Sequence, residues 1–194
     1  MSDLRLAELA SIVAPLVDPR QPEYRDLPLV NGETIESGAG RLRFGRSASD
    51  ESAISPKYLF RPGDVLYSKL RPYLRKAIVA KVAGLCSADM YPLHVDRARL
   101  DPEWLMWHLL GPAFTQDAVQ ESGRARMPKL NRAQLLSYRF SLPPLDRQRR
   151  IAARRREQLG EIDRAKAALE ARCAAVEALP GALLQGVFGE GGPA

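Results

Sequence analysis

Histidine and cysteine are scarce, with two of each in 194 residues. Cys86 and Cys173 stand far apart with no Cys-x-x-Cys spacing and only His94 and His108 to assist them. Neither a disulfide framework nor a zinc site follows from that pattern, no metal or cofactor is expected, and both cysteines read as small buried apolar residues. No apolar run reaches the ~18 residues of a membrane helix. The amino terminus, MSDLRLAELASIV, mixes acid with base and lacks the basic-then-apolar order of a signal peptide. A cytoplasmic protein without membrane contact is the expectation.

Catalytic machinery is missing as well. A metal-dependent nuclease places an acid two residues before a lysine, because the metal needs hard oxygen ligands and the lysine must sit beside the phosphate. None of the six lysines has one. There is no GxxxxGK[ST] phosphate loop and no glycine-rich cofactor turn after a strand. The tetrapeptide of amino-methyltransferases, Asp/Asn-Pro-Pro-aromatic, has only SLPPLD as a distant echo, with leucines on both sides of its prolines. The two histidines have no visible nucleophile beside them, and catalysis is not expected in this chain.

What is present is clustered positive charge. The formal net charge is +6. The stretch 61–81 carries six bases against the single acid Asp64, and 122–139 carries Arg124, Arg126, Lys129, Arg132 and Arg139 with no acid. The remainder is mildly acidic. Basic residues gathered into two segments are the footprint of a phosphate-binding surface, since counterion release rewards Lys and Arg that share one face. The alternative is an arginine-rich composition with ordinary solvated faces.

With 45% hydrophobic and 27% charged residues the composition is that of a globular protein. LRLAELASIV has helical spacing that also suits a strand packed on a short helix. From Pro19 to Pro62 the chain alternates Pro, Gly, Ser and Asp with short apolar pieces such as DLPLV and RLRFG, the texture of short strands and long loops. RPGDVLYSKLRPYLRKAIVAKVAGLCSADMYPLHV predicts two or three strands, interrupted at Pro72. DPEWLMWHLL opens with an aspartate cap and a proline in the first turn, so a helix starts there, and PAFTQDAVQESG predicts a second one ending at Gly123. A last short strand precedes Pro-Pro. Together these elements predict an α+β fold with one mixed sheet/helix domain.

Beyond Pro-Pro the texture changes. From Asp146 to Leu179 there is no proline and only Gly160, among many Ala, Arg, Glu and Gln. Taking Ile162 as a heptad a position, the a series runs Ile162, Leu169, Val176, Leu183 and the d series Ala165, Arg172, Leu179. So narrow a seam suits pairing with another long helix, through Ile162, Leu169, Val176 and Leu179. Folding back on its own domain is the competing arrangement, against which stand Arg154, Arg155, Arg156, Arg164 and Glu161.

The segments PGDVLYSKLRPYLRKAIVA, GLCSADMYPL, RMPKLNRAQLLSYRFSLPPLDRQRRIA and LPGALLQGVFGE, with the lead-in VNGETIESGAGRL, resemble in this order the specificity (S) subunits of type I restriction-modification systems. The resemblance implies a non-catalytic DNA-recognition subunit: a target recognition domain at 1–143, a long helix at 144–180 for dimerisation and docking of methyltransferase (M) subunits, and a tail at 181–194. Members usually carry two recognition domains and two helices, so one of each looks like a half-size form. Two copies would then pair their helices antiparallel and read an interrupted palindrome as a homodimer on double-stranded DNA, since two-fold protein symmetry mirrors operator symmetry. M subunits, and restriction (R) subunits with them, are the implied protein partners. A helix-mediated protein-interaction module without DNA specificity is the alternative.

Within the two basic segments, Lys69, Arg71, Arg75 and Lys76 sit at near-alternating positions that would project from one sheet face, with Tyr67 and Tyr73 available to pack on sugar or base. In SGRARMPKLNR, Gly123 and Pro128 mark a loop whose Arg124, Arg126, Lys129 and Asn131 are donors suited to phosphates and to guanine or adenine edges. SKLRPYLRK and MPKLN also resemble framework segments of the family, so some of these residues would orient loops instead.

Overall fold

The computed structural model describes residues 3–12, 14–123 and 126–188, the side chains of 185–188 excepted. It divides into two units, Met1–Ala152 and Ala153–Ala194.

Among its described residues the first unit holds eleven short strands and three α-helices, with the start of a fourth. In chain order the strands are β1 (Asp3–Arg5), β2 (Ala10–Ser11), β3 (Leu16–Val17), β4 (Pro28–Val30), β5 (Arg46–Ser47), β6 (Lys57–Phe60), β7 (Val65–Ser68), β8 (Ala77–Val79), β9 (Gly84–Cys86), β10 (Met90–Val95) and β11 (Arg139–Ser141). The helices are α1 (Pro102–Leu109), α2 (Pro112–Glu121), α3 (Arg132–Ser137) and α4 (Leu145–Phe188). A five-stranded mixed sheet in the order β3-β6-β9-β4-β5 has one parallel pair, β4 with β9. An antiparallel sheet runs β2-β10-β7-β8, and β1 pairs with β11. The α+β expectation holds.

The period-two side-chain pattern explains how these layers stack. Along β7, Val65 and Tyr67 enter the large core with α1 and α2, whereas Leu66 enters a second core with Val30, Ile35, Phe60 and Ile78. β8 repeats the division, Ala77 to the first and Ile78 to the second. The four-stranded sheet is therefore covered on both faces. Tyr67 belongs to that core: it is 1% exposed and meets Phe114 edge-on with centroids 5.5 Å apart, so it is not available to a ligand. RLRFG forms no strand beyond a single bridge between Ile35 and Leu42.

α1 starts as its sequence dictates, the Asp101 carboxylate accepting the Trp104 N–H at 2.9 Å with Pro102 in the first turn. α3 opens on a reciprocal cap. The Asn131 side chain accepts the Gln134 N–H at 2.9 Å, and the Gln134 side chain accepts the Asn131 N–H at 2.8 Å.

In the second unit α4 continues through Pro180 to Phe188. From Ala153 onward its described side chains include no buried residue. Ile162, Leu169, Val176 and Leu179 are 49–64% exposed. Cys86 is buried as expected, but Cys173 is exposed, because the seam around it is not covered by any core.

Candidate nucleic-acid interface

The two basic segments, 61–81 and 122–139, are joined by backbone pairing. Leu130 N–H donates to Lys69 O at 3.0 Å and Arg71 N–H to Pro128 O at 2.8 Å, about an antiparallel bridge between Leu70 and Lys129. Part of the charge that composition places in two stretches, that of Arg71 and Lys129 with their neighbours, is thus brought together, and clustered cations attract polyanions.

Between β7 and β8 the chain does not continue as a sheet face. Arg71 adopts a left-handed backbone (φ 49°), Pro72–Leu74 form one turn of 3-10 helix, and Arg75 is left-handed again (φ 48°). This replaces the expected alternating row. A left-handed L-residue costs about 1 kcal/mol or more, so the turn must be held from outside. Gly38 N–H donates to Arg75 O at 2.8 Å, the Ser37 hydroxyl donates to Leu74 O, and Ser68 N–H donates to Lys76 O at 3.0 Å. Gly38 has a φ of 70°, the left-handed region that glycine enters without strain.

The turn divides the candidate residues by direction. Arg71, Tyr73 and Arg75 face solvent, as do Arg126 and Lys129 across the bridge. Lys69 turns inward: its ammonium donates to Ala88 O, lies 3.6 Å from Asp89 Oδ1 and sits over the Tyr91 ring. Burial, reinforced by Lys129, holds its pKa below the usual lysine value. Lys76 donates to Gly32 O. Asn131 spends its amide oxygen on the α3 cap. Lys69, Lys76 and Asn131 are accordingly placed to position loops rather than to project at a ligand. Arg124 lies outside the described residues.

Two features escaped the sequence reading. Asp89 sets a half-exposed carboxylate between Lys69 and Lys129, 4.0 Å from the latter. Gln148 is fully buried in the first turns of α4. A glutamine following Pro-Pro was visible in the sequence, but its partners Arg99 and Asp101 were not. Among the described residues no group of three or more His, Cys, Asp or Glu could hold a metal, and no helix is long and apolar enough to cross a membrane.

No protein-family model matches the chain. The EcoDI type I restriction enzyme specificity subunit of Escherichia coli is 33% identical over 156 residues, 80% of this chain and 34% of that protein. The chain is a relative of the type I specificity subunits. The HsdS subunit of Thermoanaerobacter tengcongensis superposes with a TM-score of 0.70 at 24% identity over 100% of this chain and 50% of that one. A structure from work on assembly and conformational transition of the type I restriction-modification system gives a TM-score of 0.63 at 25% identity, over 91% of this chain and 43% of its own. The chain thus spans a third to a half of the specificity subunits it matches. Its recognition-domain strands and long helix are the fold they share.

Proposed function

We propose that this chain is a non-catalytic, sequence-specific DNA-recognition subunit of a type I modification complex. The observation that carries the reading is the backbone pairing of 69–71 with 128–130, which sets Arg71, Tyr73, Arg75, Arg126 and Lys129 on one exposed site within a relative of specificity subunits. Arginine and lysine supply phosphate and base-edge donors, and Tyr73 an aromatic face. Lys69, Lys76 and Asn131 hold the two loops in register.

In this reading the exposed seam of α4 pairs two copies, which present their domains to a palindromic interrupted site. M subunits dock on the polar flanks of the helix and supply S-adenosylmethionine chemistry, and R subunits join that complex. The test is binding of the purified full chain to a randomised duplex library across a salt series. A steep salt slope with enrichment of one bipartite sequence is expected. A flat slope with no enrichment leaves only the helix-mediated interaction module.

A further inference from the structure

Residues 42–46 form a second surface of the chemistry that DNA contacts require. Leu42, Arg43, Phe44, Gly45 and Arg46 are exposed one after another. Leu42 is 42% and Phe44 46% exposed, in a segment with three arginines and no acid between Arg41 and Ser49. Among the described residues the Phe44 ring has no aromatic neighbour; the Arg46 guanidinium lies 5.7 Å from its centroid. Arg46 is also 3.4 Å from Glu51, and Arg41 is paired with Glu36. Among the described residues the Arg43 side chain has no ion pair or hydrogen bond. A Cβ at Gly45 would meet open space.

The base of this arm is fixed although its tip is bare. Arg43 N–H donates to Thr34 O at 2.8 Å and Glu36 N–H to Arg41 O at 3.0 Å, around the buried Ile35. The Asn31 amide oxygen accepts the Glu33 and Thr34 N–H groups at 2.8 and 3.1 Å. Gly38, in the same loop, is bonded to Arg75 of the basic turn. Phe44 is six positions beyond Gly38, so the tip stands within about 20 Å of that turn. One turn of duplex is about 34 Å, so one DNA molecule can meet both surfaces.

Resting on the DNA-recognition reading, we infer that Arg41–Arg46 is a base-reading arm, in which Arg43 donates to a guanine edge and Phe44 packs on the neighbouring base. The arm takes duplex DNA because Arg43 and Arg46 flank the exposed Phe44 ring, and because an Arg-Phe pair matches a base edge beside a thymine methyl.

The test is selection from a randomised duplex library by the full chain, followed by affinity for the enriched site, with wild type, Arg43→Ala and Phe44→Ala, and melting temperature as a check on folding. The inference expects each variant to lose preference at one or two positions and to bind the wild-type site about 5- to 150-fold more weakly, while random duplex is bound within about threefold of wild type. It is overturned if wild type selects a site and both variants select the same one with unchanged affinity. Equal weakening on specific and random duplex also overturns it, making the arm a phosphate contact. So does loss of methylation in a complex with M subunits while selection is unchanged, which makes Phe44 a protein contact. If wild type selects no sequence, the recognition reading itself fails, and the arm with it.

Discussion

The side-chain carbonyl oxygen of Gln148 accepts the backbone N–H of Asp101 at 2.8 Å, at the cap of α1. The same amide donates to Arg99 O and Pro143 O, both at 2.9 Å, and the residue is 0% exposed. All three bonds lie inside the first unit. Gln148→Leu keeps the volume but orphans one donor and two acceptors, each costing about 1–3 kcal/mol when water cannot replace the partner. Urea unfolding followed by circular dichroism should therefore show a loss of about 3 kcal/mol or more. A loss under 1 kcal/mol would show that water reaches these groups.

The same logic separates the lysines and arginines of the basic site. Arg71→Ala and Lys129→Ala remove exposed cations, so each should lower the salt slope of DNA binding by about one while leaving the melting temperature near wild type. Lys69→Ala removes a buried donor to Ala88 O and should lower stability by about 1–3 kcal/mol. Titrations across a salt series, paired with thermal melts, check both halves. A Lys69 variant with wild-type stability and a reduced slope would return that residue to the contact set.

How far the sequence reached follows from the range of each interaction. The α1 cap was legible because Asp101, Pro102 and Trp104 are neighbours, and β7 and β8 because their alternation is local. The α3 cap was equally local, an Asn with a Gln three residues on, but the amide of Asn131 both accepts and donates, and the sequence reading took up its donor group while the cap uses its oxygen as acceptor. By contrast, the pairing of Lys69 with Leu130 and of Gln148 with Asp101 is set by tertiary folding alone. The near-alternation of Lys69 to Lys76 suggested a strand face, and the left-handed arginines on either side of Pro72–Leu74 are what that pattern could not reveal.

His108 makes the fold sensitive to pH. It is stacked on Trp104 with centroids 4.9 Å apart, packs against Phe140 and lies 3.2 Å from the Tyr138 hydroxyl. Burial holds its pKa below the ordinary value of 6.5. The unfolded chain thus takes up the proton first, and stability falls as pH drops from 6.5 toward the folded value, by at most about 1.4 kcal/mol per unit. His108→Phe keeps an aromatic ring and removes the titration. Urea midpoints measured between pH 7.5 and 5 should show the wild type losing stability relative to the variant as pH falls. Parallel curves would place the pH dependence elsewhere.

Exposed apolar residues repeating every seven positions need a partner helix. Ile162, Leu169 and Val176 are 49%, 63% and 64% exposed. Sedimentation at micromolar concentration should give about twice the 21.5 kDa chain mass. Leu169→Glu with Val176→Glu should return a monomer, since two charges in the seam remain solvated only if it stays open. A wild-type monomer unaffected by these changes would exclude self-pairing.

The polar flanks of α4 carry the last expectation. With no cofactor turn and no Pro-Pro-aromatic tetrapeptide, the purified chain should transfer no methyl group, while addition of its M subunit should give S-adenosylmethionine-dependent adenine methylation. Arg154, Arg155 and Arg156 are exposed, as are Gln158 and Glu161. These residues lie outside or at the start of the seam, where cations set partner choice without holding the dimer together. Replacing all three arginines by Glu should abolish methylation in the mixture and leave the sedimentation of the chain unchanged, because Ile162, Leu169 and Val176 are untouched. Full methylation by the triple variant would place M-subunit docking elsewhere. Methylation by the chain alone, in tritiated-methyl transfer to duplex DNA, would overturn the non-catalytic reading.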